Sequence, residues 1–355
     1  MAEYILKNVT LGGRVTDITI DRGSGKILSV EKTPATGREM GGATVVAGFV
    51  DIHAHGFIGH DVMEGDGLAE MSAFLAANGT TAWCPTTTTN AVEEIRGVIS
   101  APVPQKGAHV LGFHLEGPYI SHKYCGALNT DFAKAPDLAD FAGLEDQIAL
   151  MTVAPDLPDA MEFIRNAPYP ISVGHTAADY DVAREAFRAG AKCVTHIFNA
   201  MPPMHHREPS VVGAALTENA YVQVICDGIH IHPAVILALY RMFGSDRMML
   251  ISDAISAAGL ADGHYMLGGK AVIVKNGVAR NTAGALSGST VTLAECVRRA
   301  VSFGIPRAEA LKMASETPAK FLGVKKGRVA PGYDADLLVV DDGLNVVETI
   351  LCNQL

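Results

Sequence analysis

Two histidines two residues apart, His53 and His55, stand in the stretch GFVDIHAHGF, behind a short apolar run and ahead of a glycine. In an extended strand side chains two apart share a face, so both imidazoles would project together and could bind one metal ion. Thirteen histidines in 355 residues would place about half a pair at this spacing by chance, so the pair alone decides nothing. Other groups of the right chemistry accompany it. Glu116 ends the nearly apolar VLGFHLEGPY. There an unpaired carboxylate would lose several kcal/mol to desolvation, which a cation or the backbone amides of the next turn could offset. His175 in ISVGHTAAD and His196 in CVTHIFNAM are one β/α unit apart and would come from neighbouring strands. Asp253 in LISDAISAAG could cap the following turn or act as a general base beside a metal ion.

What must position these groups is a set of strands. Eight apolar, β-branched runs recur at spacings that suit alternating strands and helices: Val45–His55, Thr80–Thr86, Val110–Glu116, Ile148–Ala154, Ile171–His175, Cys193–Phe198, Val222–Asp227 and Met248–Asp253. Helical candidates lie between them, among them Leu68–Gly79, Tyr180–Gly190 and His232–Gly244, each ending in glycine. Eight such units predict an α/β fold of the (β/α)8 TIM-barrel type. His53, His55, Glu116, His175, His196, Asp227 and Asp253 all fall where a run gives way to a loop, the end of the barrel at which active sites are built. His114 shares a face with Glu116 but lies deeper, as a core hydrogen-bonding group. His60, His109, His122, His205, His206 and His264 fall in or beside loops. At the termini, EYILKNVT, VTDITID, KILSVE, ADLLVVD and VVETIL read as short strands of a small β-sandwich built from both ends. The expected division is residues 1–47 with 327–355 for that domain, and 48–326 for the barrel.

The formal net charge of -10 argues against nucleic acid or an anionic membrane as partner, and an anionic substrate would need its own local cluster of positive groups. Six scattered cysteines without a Cys-x-x-Cys suit reduced core thiols. The first ten residues carry Glu3 and Lys7 and no long apolar stretch, so a cytoplasmic protein is expected.

Together the motifs resemble the amidohydrolase superfamily and, within it, the N-acetylglucosamine-6-phosphate deacetylases. AGFVDIHAHG, HLEGPYI, GHT, THIFNAM, HHREP, DGIHIHP, SDAISAAG, LSGS and KGRVAPGYDADLLVVD carry the likeness along most of the chain. HLEGP, FNAM, HREP and DGIHIHP are its more specific parts. The resemblance implies that Glu116, His175 and His196 hold a divalent metal. It also implies a second site at His53 and His55, with Glu116 bridging and Asp253 nearby as ligand and base. One or two ions per subunit are expected, zinc first, with iron, manganese or cobalt as alternatives. The implied reaction is hydrolysis of the acetamide of N-acetylglucosamine-6-phosphate. Asn199, the amide of Ala200, Ala127 and Leu286 would contact substrate within one subunit, and Arg207 and His230 would reach the phosphate across a homodimer interface. Where many relatives read Gly-Ala-His, this chain has Gly126-Ala127-Leu128. N-acetylgalactosamine-6-phosphate is therefore an alternative substrate, and Asn129 or His122 a substitute contact. An amidohydrolase for another N-acyl or cyclic amide, or a scaffold without activity, are the remaining readings.

Overall fold

The computed structural model describes residues 3–355. Met1 and Ala2, which the expected terminal domain includes, lie outside the described residues. Eight parallel strands form the barrel: β1 (Phe49–Ala54), β2 (Thr80–Thr87), β3 (Phe113–Glu116), β4 (Ile148–Val153), β5 (Ile171–Val173), β6 (Cys193–Val194), β7 (Tyr221–Ile225) and β8 (Met248–Ile251). Each pairs in parallel with its neighbour, and a bridge between Ala54 and Ala254 closes the ring. The molecule is thus a (β/α)8 barrel. Every expected run supplies its strand, with two adjustments. Val45 belongs to the terminal sheet rather than to β1. The third run breaks at Leu111-Gly112, so that His109–Val110 and Phe113–Glu116 pair with different stretches of β2.

Alternation along the strands sorts the side chains into two cores. Inward-facing Val50, Ile52, Cys84, Leu150, Ile225 and Ile251 fill the barrel with Phe321 from the helix Glu316–Leu322. Outward-facing Trp83, Leu115, Val153, Val194, Val224 and Leu250 pack under the surrounding helices. The expected helices form over Leu68–Ala77, Tyr180–Ala189 and Pro233–Phe243, the last two capped by Gly190 and Gly244. Both ends of the chain meet in one seven-stranded sheet, where Leu337–Val340 pairs antiparallel with Thr44–Ala47. Leu6, Ile18, Ile27, Val45, Leu337 and Ile350 of this sheet share a single apolar cluster.

One element has no counterpart among the sequence expectations. Between β8 and the last helices, Gly263–Leu267, Lys270–Lys275 and Val278–Asn281 form a three-stranded antiparallel sheet. Its inward residues Leu267, Val272, Val274 and Ala279 pack on Ile255 and Ala257, just past the end of β8.

Candidate active site

At the C-terminal end of the barrel, six of the singled-out residues converge in two groups of three, His53 with His55 and Asp253, and Glu116 with His175 and His196. Within each group the ligand atoms lie within 4.8 Å of one another. Glu116 joins the groups: its Oε1 is 2.9 Å from His196 Nε2 and 3.2 Å from His175 Nε2, and its Oε2 is 3.3 Å from His55 Nε2. All six are buried.

The backbone that delivers them departs from regular strand geometry. His175, His196 and Asp253 have φ of 48°, 28° and 48°, the left-handed region. Histidine and aspartate tolerate it better than most residues, and a turn of this kind ends the strand at once. The neighbouring carbonyls are nonetheless paired, with Ser121 N–H donating to His175 O and Ser289 N–H to Asp253 O.

Hydrogen bonding on the far side of two of the rings shows what their near sides can do. His55 Nδ1 faces the carbonyl of Thr86 at 3.1 Å, and His175 Nδ1 that of Tyr124 at 3.2 Å. A carbonyl only accepts, so a neutral ring keeps its proton on Nδ1 and turns a bare Nε2 toward the cluster. The Nε2 atoms of His175 and His196 lie 3.0 Å apart, and those of His53 and His55 3.2 Å apart. Lone pairs thus converge on two carboxylates, an arrangement that needs positive charge between its members. A divalent cation fits this donor set, three atoms of nitrogen and oxygen in each group.

The titration of the cluster follows the same charges. Burial disfavours the cationic ring at His55, but the hydrogen bonds and charges of Asp253 and Glu116 outweigh it and raise the group to about 10. Burial would also raise Glu116 and Asp253, yet the surrounding imidazoles, His53 foremost, hold both below the usual carboxylate range. At neutral pH both carboxylates are ionised. His114 behaves as expected of a core group, with burial holding it neutral between Thr86 Oγ1 and Thr152 Oγ1.

A cavity of about 200 Å³ opens over the cluster, lined by His55, Glu116, His175, His196 and Asp253 below. Ala127, Leu128, Asn199, Ala200, His230 and Leu286 form its sides, together with Leu267 from the three-stranded sheet. Two of the expected phosphate contacts, His230 and Arg207, lie apart here. His230 lines the cavity of its own chain. The Asp227 carboxylate accepts from the N–H groups of Ile229 and His230 and from His230 Nδ1 at 2.6 Å, which folds the loop back over its own rim. That bonding also occupies Asp227, which takes no place among the convergent ligands. Arg207, by contrast, is not brought to the cavity of its own chain. It is exposed, with Nη1 2.8 Å from His206 Nε2. No lysine or arginine lines the cavity among the described residues. The second histidine of DGIHIHP, His232, caps the helix Pro233–Phe243 by accepting from Ala234 N–H.

Two contributors escaped the sequence reading. Leu267 had no signal beyond its place between turn glycines. Gln223, whose Oε1 is 2.9 Å from His53 Nδ1, had one: a polar residue at an inward position of an otherwise apolar strand.

Comparison with known proteins agrees with this geometry. The model of the amidohydrolase family matches residues 44–353. The chain is 34% identical over 366 residues to the N-acetylgalactosamine-6-phosphate deacetylase of Escherichia coli O157:H7, covering 98% of this chain and 97% of that protein. It is 36% identical to the N-acetylglucosamine-6-phosphate deacetylase of Vibrio furnissii, covering 94% and 88%. Among solved structures it resembles a variant of N-acetyl-D-glucosamine-6-phosphate deacetylase from Mycobacterium smegmatis in complex with N-acetyl-D-glucosamine-6-phosphate, with a TM-score of 0.91, 32% identity and 99% of both chains covered. With a matching family model over most of its length, and the barrel and convergent residues to go with it, the chain belongs to the amidohydrolase family.

Proposed function

We propose that this protein hydrolyses the acetamide of N-acetylglucosamine-6-phosphate to glucosamine-6-phosphate and acetate. The observation that carries the reading is the convergence of four imidazoles and two carboxylates beneath a cavity of sugar size. It is supported by relatives and a substrate-bound neighbour named for that activity. A second reading, N-acetylgalactosamine-6-phosphate, has the Escherichia coli relative in its favour, and Leu128 leaves the cavity one polar contact fewer for telling the epimers apart.

In this reading Glu116, His175 and His196 would hold one divalent cation, zinc for preference, and His53, His55 and Asp253 would hold a second beside Glu116. A bound cation there would polarise the acetamide carbonyl and acidify water beside it. Asp253 is ionised and 3.2 Å from His55 Nε2, placed to accept a proton from the attacking water and return it to the departing amine nitrogen. Ala127, Leu128, Leu267 and Leu286 exclude water around the sugar, and Asn199, the Ala200 amide and His230 orient its polar groups. We assign residues 48–326 to this catalytic unit, and residues 1–47 with 327–355 to the supporting one. A phosphate dianion is too costly to desolvate for passage through a bilayer, so the reading places the enzyme in the cytoplasm; no described helix is long and apolar enough to cross a membrane.

The phosphate needs a cation that the chain's own cavity lacks. Arg207 of a second copy would supply it, since a guanidinium fork matches a phosphate dianion. Apolar, exposed Met204 and Ile229 flank Arg207 and His230 in sequence and would become buried in such a homodimer. The test is acetate release measured side by side on both 6-phosphorylated N-acetylhexosamines and both unphosphorylated sugars, with metal analysis of the same sample. Fastest turnover on N-acetylglucosamine-6-phosphate is expected. Preference for an unphosphorylated sugar, or activity in metal-free protein, would overturn the reading.

A further inference from the structure

A separate convergence of metal-ligating groups lies toward the N-terminal end of β2, the end of the barrel opposite the active-site cluster. There His109, Asp336 and Cys352 bring an imidazole nitrogen, a carboxylate oxygen and a sulfur within 4.8 Å of one another. His109 opens the short strand His109–Val110 beside Ala82 and Trp83 of β2, Asp336 precedes the strand Leu337–Val340, and Cys352 begins the turn Cys352–Gln354. The turn is seated by the chain's own contacts. Cys352 N–H donates to Asp336 Oδ1 at 3.0 Å, and Asn353 Nδ2 to the carbonyl of Gln105 at 3.1 Å. Gly25, at φ 65°, makes room for the Cys352 carbonyl, which a Cβ there would meet at 2.8 Å.

The donor atoms are spaced for an ion. Cys352 Sγ is 3.6 Å from His109 Nε2, and the same nitrogen is 4.0 Å from Asp336 Oδ1. Tetrahedral zinc would set sulfur about 3.6 Å and oxygen about 3.4 Å from a shared nitrogen neighbour, so the first separation already matches and the second closes by a fraction of an ångström. A thiol donating to Nε2 accounts for the first distance alone, and it shows the nitrogen's lone pair turned inward; the carboxylate oxygen at 4.0 Å is beyond hydrogen-bond reach of that nitrogen. The charges also leave place for a cation. Lys326 Nζ donates to Asp336 Oδ2 at 2.6 Å and to Asp334 Oδ2 at 2.8 Å, and Lys26 pairs with Asp334. Two ammonium groups thus answer two carboxylates, and a Cys352 thiolate, its proton released to solvent on metal binding, would be the one charge in excess. His109 is 26% exposed, so water can complete the set of four ligands.

We infer that His109, Asp336 and Cys352 form a sulfur-bearing site for one Zn2+, which ties the C-terminal turn to the barrel. Sulfur among the donors selects zinc over magnesium, calcium or manganese. It also sets the site apart from the active-site cluster, whose donors are nitrogen and oxygen alone. The inference does not depend on the deacetylase reading, since none of the three residues lines the cavity.

Cobalt reports the difference directly, because a thiolate ligand gives a near-ultraviolet sulfur-to-cobalt charge-transfer band and nitrogen or oxygen ligands do not. Full-length wild type, Cys352→Ser, His109→Gln and Cys125→Ser are each freed of metal, saturated with Co2+ and then titrated with Zn2+. Cys125 serves as the control because it is the one other thiol that is not buried. The band should appear in wild type and Cys125→Ser, fade as Zn2+ replaces Co2+, and be lost in Cys352→Ser and His109→Gln. Cys352→Ser should also hold one zinc ion fewer per chain than wild type. By hydrogen exchange, residues 346–355 should become better protected on adding zinc to wild type, and not in Cys352→Ser. Absence of the band in cobalt-saturated wild type, or its persistence in Cys352→Ser, overturns the site; exchange that zinc leaves unchanged in wild type overturns its role at the C-terminal turn. If Cys352→Ser does not fold, His109→Gln decides by the same readouts.

Discussion

Asp253 occupies a backbone conformation that most side chains resist, φ 48°, and this decides which variant can report on its chemistry. Left-handed backbone costs an L-residue about 1–2 kcal/mol, least for asparagine and aspartate. Asp253→Asn therefore keeps the local turn and replaces the carboxylate, proton acceptor and proposed ligand of the second ion alike, with a neutral amide. Its thermal midpoint should stay close to wild type while turnover falls by at least ~10²-fold, the low end for a lost general base. Near-normal turnover would remove Asp253 from that role. At this scale the sequence was informative wherever a charged or imidazole group stood at the end of an apolar run, because burial there demands a partner. It was uninformative where a residue acts through another: Gln223 carries no charge, and only the fold places it behind His53. Likewise, nothing in DGIHIHP reveals that Asp227 binds back onto His230 Nδ1.

The three-stranded sheet sets one wall of the cavity through Leu267, and its tip is anchored at Gly268. The Gly268 N–H donates to Asp61 Oδ2 at 2.8 Å, φ is +54°, and a Cβ would stand 2.1 Å from Thr88 Oγ1. Gly268→Val should displace Leu267, raising KM by about tenfold, the scale of one well-packed apolar contact, with bound metal unchanged. An unaltered KM would show that the sheet does not shape the cavity. Between the Gly268-Gly269 and Asn276-Gly277 turns stands the β-branched run KAVIVK, and run and turns together could have revealed the element. The barrel rhythm drew attention away because this sheet interrupts that rhythm. The terminal sheet has its own dependence, on pH. Asp17 is buried on Lys7 Nζ and on the N–H groups of Asn8 and Thr33. Burial would raise it, but these partners hold it far below the usual carboxylate value. The folded value is depressed, so its stabilisation is complete above the unfolded pKa of about 4 and is lost as pH falls below that. Chemical denaturation should find Asp17→Asn less stable than wild type at pH 7, with the gap narrowing at pH 3. A gap of equal size at both would show that the charge is not what matters.

Across the whole molecule the charge balance poses the remaining question, since the proposed substrate is a dianion while the chain has a net charge of -10 and, among the described residues, no lysine or arginine in its cavity. In the proposed homodimer a cation supplied by a second copy would answer it without making the chain's own cavity basic, and a two-fold contact would create two such sites at once. The Pro202–Pro209 loop carries Arg207 outside its own cavity, where a contact within the subunit would keep it inside. Asp253→Asn and Arg207→Ala should each be inactive alone. When their subunits are mixed and exchanged, a hybrid dimer holds one site with Asp253 from the Arg207 variant and Arg207 from the Asp253 variant. Under statistical mixing half the dimers are hybrid and one of their two sites is intact, so activity should return to about a quarter of wild type per site. No recovery, despite demonstrated exchange, would place Arg207 in its own subunit's site or outside the site altogether, and the phosphate would then need another counter-charge.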